Sequence, residues 1–92
     1  MTSDVSAVMG TPSPDVLVAH LAGEAVLLNL ADKSYYRLNE SAAFIWKALE
    51  RGEKRDEILA SIVNEYDIDN KSASNQLAEV VKDLVSKGLL SA

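Results

Sequence analysis

The sequence has no cysteine, so it has no disulfide framework, no thiolate metal ligand and no cysteine nucleophile. Its four glycines are scattered along the chain, which leaves no glycine-rich loop to cradle a phosphate. No apolar run approaches the ~20 residues that a membrane-spanning helix needs. The N-terminus lacks the basic and apolar regions of a secretory signal. We therefore expect a cytoplasmic protein without a membrane partner.

Basic residues are also scarce. Nine Lys and Arg stand against 14 Asp and Glu, which gives a net charge of −5. Nucleic-acid affinity depends on neutralising phosphates with Lys and Arg, so this balance disfavours a nucleic-acid partner. The 92 residues and the 48% hydrophobic content are typical of one globular domain. Small polar residues and two prolines in residues 1–15 predict a flexible N-terminal arm, followed by the folded domain over residues 16–92.

The first part of the domain has a hydrophobic period of 2, which is typical of strands. Two strand-like runs, residues 16–21 and 24–30, flank Ala22-Gly23, a hairpin signal, and a third short run covers residues 35–38. Connections this short make sequence neighbours pair in space, so we expect a three-stranded antiparallel meander. In the second run one face carries Val26, Leu28 and Leu30, and the other carries Ala25, Leu27 and Asn29.

From residue 39 the period changes to 3.6, which predicts helices. Asn39 is a suitable N-cap for a helix that ends before Gly52, and a second helix covers residues 55–66. Asp69 is placed to cap a third helix that runs to residue 87. The sequence therefore predicts an α+β fold in which three strands are followed by three helices.

Groups for catalysis do not converge in this pattern. His20 is the only histidine, and a lone strand histidine is more often a surface residue than a ligand. The run from Asp67 to Asn70 resembles the start of a calcium loop but lacks its later glycine and glutamate, so Asp69 is better explained as a helix cap. We expect no metal, no cofactor and no enzymatic activity.

The third strand has one neighbour and one free edge. Free edges template pairing with other chains, and residues 35–38 carry one charge and no proline to prevent it. Tyr36 and Leu38 share one face, where core packing is the simplest explanation, and Tyr35 and Arg37 share the other. Core packing of side chains leaves the free backbone unexplained. Such an edge can receive an extended peptide, or it can pair two copies of the chain.

The third helix has an apolar arc wider than the ~100° that packing on one side of a small domain requires. One explanation is that the other helices cover the whole arc. The other is that part of it lines a groove beside the third strand, where an edge strand and an apolar helix would together bind an extended peptide. The residues of the arc are Ala73, Leu77, Val80, Val81, Leu84 and Val85, with Ala78 extending it.

The chain also resembles the PqqD-like family. The matching motifs are LLNL, YxxLN, the IW of the first helix, EIL in the second, YDID and the closing LxxxGLL, in this order over residues 16–90. The resemblance implies a winged-helix-like fold and a non-catalytic role in making ribosomally synthesised, modified peptides. As a free-standing chain of this size, the protein resembles the separate leader-binding proteins of lasso-peptide clusters. The resemblance also implies that a precursor's leader segment adds as a strand to the third strand, beside the third helix, and that a leader protease or other modifying enzyme is a partner. The binding residues carried over are Tyr35, Tyr36, Arg37, Leu38, Leu77, Val80, Val81 and Leu84.

The alternative function is a winged-helix transcription regulator. The third helix begins with polar residues from Asn70 to Gln76, which is compatible with base contacts. Against it, no arginine follows Arg55, and acidic residues flank the helix. The sequence therefore favours peptide binding over DNA binding.

Overall fold

The computed structural model describes residues 10–91 as a three-stranded antiparallel sheet followed by three helices. The strands are β1 (Thr11–Pro12), β2 (Val16–Leu21), β3 (Glu24–Asn29), β4 (Ser34–Leu38) and β5 (Leu90–Ser91), and the helices are α1 (Glu40–Glu50), α2 (Arg55–Tyr66) and α3 (Asn70–Ser86). The sheet has the order β2-β3-β4. The α+β fold class and the element order predicted from the sequence are confirmed.

The two short strands β1 and β5 pair antiparallel and join the ends of the described chain. Gly10 lies against this pair with a φ of +128°, and a Cβ there would stand 2.6 Å from the carbonyl oxygen of Ser91. The amide of Ser13 donates to the carbonyl of Leu89 at 3.0 Å. Residues 1–9 of the predicted arm lie outside the described residues, and residues 10–13 contact the C-terminal segment.

The β2–β3 hairpin has a two-residue turn at Ala22-Gly23, as the sequence predicted. Both turn residues have positive φ, +48° and +89°, which is the conformation that type I′ turns require. Glycine adopts it freely, whereas Ala22 does so at some cost. The register from Leu21↔Glu24 to Val16↔Asn29 follows from this turn.

The β3–β4 turn is held by side chains that bond the local backbone. Asn29 is 5% exposed, and its Oδ1 accepts from the amide of Ala31 at 2.9 Å while its carbonyl accepts from Lys33 at 2.8 Å. Asp32 Oδ1 accepts from the amide and the hydroxyl of Ser34. These bonds hold the pKa of Asp32 below its ordinary value. The turn therefore fixes where β4 begins.

The helices begin and end at the residues expected from capping chemistry. Asn39 Oδ1 accepts from the amide of Ala42 at 2.9 Å, and Asp69 Oδ1 accepts from the amide of Ser72 at 3.0 Å. Asp67 ends α2 in the left-handed conformation, with a φ of +54°. None of the helices within residues 10–91 is long and apolar enough to cross a membrane.

The core lies between one face of the sheet and the three helices. β3 contributes Ala25 and Leu27, both fully buried, and α1 contributes Ile45 and Trp46, each 1% exposed. The largest fully buried side chains are Trp46, Leu27, Ile45, Ile58, Ile62, Leu77, Leu84 and Leu89. α1 begins two residues after β4 ends, and Leu38 of β4 lies in the same core as Ile45 and Trp46 of α1. Packing in this core therefore fixes the position of β4 relative to α1.

Candidate functional site

The ladder between β2 and β3 determines which backbone groups of the sheet point outward. A two-residue turn closes with hydrogen bonds between its flanking residues, here Leu21 and Glu24. Hydrogen-bonded pairs then alternate along an antiparallel ladder, so odd-numbered residues of β3 direct their N–H and C=O groups toward β4. The bond from the amide of Leu30 to the carbonyl of Asp15, at 2.8 Å, continues this alternation past the strand end.

The same alternation applies to β4. Leu27 pairs with Tyr36, and Ala25 pairs with Leu38, so even-numbered residues of β4 bond β3. The N–H and C=O groups of Tyr35 and Arg37 therefore point away from the sheet. Four backbone groups along β4 are directed to its outer edge.

No strand within residues 10–91 pairs with that edge. The order of the sheet ends at β4, and β1, the N-terminal strand that could have covered it, pairs with β5. The edge carries no proline and no bulge, and Arg37 is the one charged residue of β4. Its backbone groups are open to another chain.

The side chains of β4 alternate between the two faces of the sheet as predicted. Tyr36 is half-buried and Leu38 is 8% exposed, both toward the core, whereas Tyr35 is 73% exposed. Arg37 is exposed on the same side as Tyr35, and its guanidinium lies 3.0 Å from the Glu24 carboxylate. Ion pairs this exposed contribute at most ~1 kcal/mol. The edge strand thus has one face in the core and one exposed face.

The four α3 residues assigned to the site differ in their exposure. Leu77 and Leu84 are each 1% exposed and anchor α3 in the core, whereas Val80 and Val81 are half-buried and reach the surface. Periodicity places all four on one arc, and it carries no information about which of them neighbouring elements cover. Val80 and Val81 are therefore the two members of this set that are accessible at the surface.

Side chains, rather than closely packed backbones, connect α3 to β4. α3 packs mainly against α2, and its backbone barely approaches that of β4. Near the C-terminus of α3, Lys87 Nζ lies 5.2 Å from the centroid of the Tyr36 ring and bonds both oxygens of Asp83, at 2.8 and 2.7 Å. The contact between Lys87 and Tyr36 depends on the tertiary arrangement and could not be predicted from the sequence.

The outer face of the sheet carries an apolar surface that the sequence analysis did not identify. Leu17, Leu28 and Tyr35 lie side by side across the three strands, and Leu17 is 56% exposed. Leu21, 55% exposed, lies on the same face. The four exposed large apolar side chains of the described residues are Leu17, Leu21, Leu30 and Tyr35. The period of 2 shows that β3 has two faces but does not show which one is covered.

A separate cleft of about 160 Å³ lies at the junction of the first hairpin, α1 and α2. Burial raises the pKa of Tyr66 there, and the nearby Glu40 and Glu65 carboxylates raise it further. None of the residues predicted for the site lines this cleft, which is formed by Gly23, Glu40, Phe44, Lys47, Glu65 and Tyr66. Within residues 10–91 no group of three or more His, Asp or Glu could hold a metal ion.

Comparison with known proteins identifies the family. The sequence model of coenzyme PQQ synthesis protein D (PqqD) matches residues 24–90, and the chain belongs to the PqqD family. The resemblance inferred from the sequence motifs is confirmed. A comparison with curated proteins finds no match.

Two solved structures are similar to the chain over most of its length. The structure of TbiB1 in complex with the TbiA(beta) leader peptide is 34% identical, covers 87% of this chain and 93% of its own, and superposes with a TM-score of 0.83. A lasso peptide synthetase B1 complexed with the leader peptide is 25% identical, covers 88% of this chain and 94% of its own, and has a TM-score of 0.77. Both similar structures contain a leader peptide.

Proposed function

We propose that this protein is a non-catalytic adaptor that binds the leader segment of a precursor peptide. The leader adds to β4 as a further strand beside α3, and the protein presents the precursor to a leader protease or another modifying enzyme of the same gene cluster. The product is a ribosomally synthesised, post-translationally modified peptide of the lasso class. The family and the two similar structures that contain leader peptides support this proposal.

The observation that carries the proposal is the open edge of β4. Tyr35 and Arg37 direct two N–H and two C=O groups outward, and no strand within residues 10–91 bonds them. Strand addition satisfies such groups whatever the side chains of the incoming peptide are, so the main chain supplies affinity. An edge left open in this way is a surface for strand addition.

Side chains of the docked strand would alternate between two environments. Those directed toward α3 would contact the Tyr36 ring and the two half-buried valines, Val80 and Val81. Those directed to the other face would lie beside Tyr35 and Arg37. Selectivity therefore comes mainly from every second residue of the leader, the ones that meet the apolar side chains.

The outer face of the sheet supports the second half of the proposal, presentation to an enzyme. The leader strand would extend the row formed by Leu17, Leu28 and Tyr35 with its own outward side chains. Contiguous exposed apolar patches on small proteins usually mark interaction sites. An enzyme that binds this row contacts the adaptor and the leader together, and so prefers the loaded adaptor.

Two substitutions at one position test strand addition. Arg37→Pro removes an outward N–H and places ring carbons where the peptide must approach, while keeping the bonds between β4 and β3. Because an unpaired buried carbonyl costs about 1–3 kcal/mol, we expect leader affinity to fall about tenfold or more in a calorimetric titration.

The matched control, Arg37→Ala, keeps the N–H and loses only the exposed guanidinium, so it should bind the leader nearly as well as the wild type. Equal affinities of the proline and alanine variants would contradict strand addition at β4. A folded wild-type protein that fails to bind its own cluster's leader at about 100 µM would contradict leader binding altogether.

A further inference from the structure

Within residues 10–91 the sheet has a second edge without a paired strand, along β2, that the proposed function does not use. β2 is the other terminal strand of the sheet, and its sequence VLVAHL contains no charged residue and no proline. Three consecutive residues, Ala19, His20 and Leu21, are exposed. Proteins normally block such edges with lysine, proline or bulges, and this strand has none of these.

The outward backbone groups of β2 follow from the same ladder. Odd-numbered residues of β2 bond β3, so Val16, Val18 and His20 direct their N–H and C=O groups to the free edge. The amide of Val16 bonds the carbonyl of Ser13 at 3.3 Å, outside the ladder, as this assignment requires. No strand within residues 10–91 pairs with Val18 and His20 along this edge.

We propose that two copies of this protein pair through β2 as antiparallel strands about a twofold axis at Val18. In this register the two Val18 residues face each other, and His20 of each copy faces Val16 of the other. Both outward groups of Val18 and the N–H of His20 then gain a partner, because the backbone pattern of β2 is self-complementary about Val18. The His20 carbonyl faces the Val16 amide, which already bonds Ser13 at 3.3 Å. The result is a continuous six-stranded sheet.

Two copies of this acidic protein should associate more easily along β2, which carries no charged residue, than through the rest of the surface. The chain has a net charge of −5, so two copies repel each other wherever acidic residues meet. In the Val18-centred register the nearest acid, Asp15, lies opposite Leu21 of the other copy. The exposed Leu17 lies opposite Ala19 of the other copy, so apolar side chains cover each other on the outer face.

The pairing does not depend on leader binding, and it leaves both β4 edges free at the two ends of the joined sheet. A single strand pair buries less than the ~800 Å² per partner of a stable interface, so the dimer forms only at high protein concentration. It brings two leader sites into one assembly, which raises the local concentration of precursor for a bound enzyme.

Sedimentation equilibrium of the full chain tests the proposal over about 10 µM to 1 mM, the range in which a small interface dissociates. The weight-average mass of the wild type should rise from 9.9 kDa toward twice that value. His20→Pro removes an outward N–H from an exposed residue and should keep the mass at 9.9 kDa. His20→Ala keeps the N–H and should dimerise as the wild type does.

Leader titration of the same variants separates this proposal from the proposed function. His20→Pro should bind leader with unchanged affinity, and Arg37→Pro should lose leader binding but still dimerise. A wild type that stays at 9.9 kDa up to about 1 mM overturns pairing through β2. A dimer that survives His20→Pro but is lost in Arg37→Pro also overturns it, and assigns the contact to β4. If the wild type does not bind the leader, the mass measurement still tests pairing through β2.

Discussion

Trp46 and Arg37 illustrate the two kinds of residue in this protein, those that form the core and those that form the edge. Trp46 is 1% exposed among aliphatic side chains of the core, and its Nε1 lacks a hydrogen-bond partner. Arg37 is exposed, and its backbone points outward from β4. Substitutions at the two positions should therefore act on different properties, stability in the first case and binding in the second.

Trp46→Ala should lower the free energy of unfolding by about 3–5 kcal/mol, because it leaves a large cavity. This loss is a large part of the ~5–15 kcal/mol free energy of unfolding of a typical domain, so a substantial fraction of the variant should be unfolded. Urea denaturation followed by circular dichroism measures the change. Trp46→Phe, which fills most of the volume and removes the unpaired N–H, is the control and should cost much less. A loss below ~1 kcal/mol for the alanine variant would contradict burial of the indole.

At the scale of the element, the start of α3 depends on Asp69. Bonds from the Ser72 side chain and backbone amide hold the pKa of Asp69 below its ordinary value of 3.8. A group with a lowered folded-state pKa contributes stability above its unfolded pKa and loses that contribution as pH falls through the folded pKa. The cap thus stabilises α3 near neutral pH and fails in acid.

Asp69→Asn keeps an acceptor at the cap but cannot ionise, so it isolates this pH dependence. The wild type should be more stable than the variant at about pH 6, and the difference should shrink toward zero near pH 2. Asp32 also has a lowered pKa, but it titrates in both proteins and cancels in the comparison. Thermal unfolding at both pH values measures the difference. A constant difference between pH 6 and pH 2 would show that ionisation of Asp69 is not the cause.

Elements with a strong local signal could be predicted from the sequence. The Ala22-Gly23 hairpin and the caps at Asn39 and Asp69 depend on residues within a few positions, and all three are present. The β1–β5 pair could not be predicted, because two-residue strands have no measurable period and their partner lies at the other end of the chain.

The covered face of β3 was also beyond the sequence pattern. Hydrophobicity alone favours burying Val26 and Leu28, yet the face with Asn29 is the buried one. Asn29 satisfies its Oδ1 and carbonyl within the β3–β4 turn, which makes its burial acceptable. The more apolar face lies on the outside of the sheet, where Val26 and Leu28 are half-buried.

For the candidate site, the sequence predicted the edge strand, with Tyr36 and Leu38 on its core face, and an apolar helix, but it could not separate the exposed side chains of the helix from the buried ones. That separation depends on how α3 packs against α2, which is a tertiary property. The direction of the β4 backbone groups likewise required the register of the hairpin, since alternation alone leaves two choices.

At the scale of the whole molecule, two edges of the sheet pair with no strand of residues 10–91 and its outer face exposes apolar side chains, and we propose a different partner for each of the three surfaces. If the face receives the modifying enzyme, Leu17→Glu should abolish or strongly slow leader processing, because it places a carboxylate in the apolar row. Leu17 lies on β2, and β3 and β4 separate it from the docked leader, so leader affinity should be unchanged. Processing assays with the reconstituted enzyme, beside a leader titration, measure both. Normal processing by the Leu17→Glu variant would exclude this face as the enzyme's contact.

Amide hydrogen exchange along β4, measured by NMR with and without leader peptide, tests strand addition most directly. In the free protein the amides of Tyr36 and Leu38 should exchange slowly, and those of Tyr35 and Arg37 should exchange fast, because only the first two bond β3. Saturating leader should slow Tyr35 and Arg37 by about tenfold or more and leave Tyr36 and Leu38 nearly unchanged. Leader that binds without protecting Tyr35 and Arg37 would contradict strand addition at this edge.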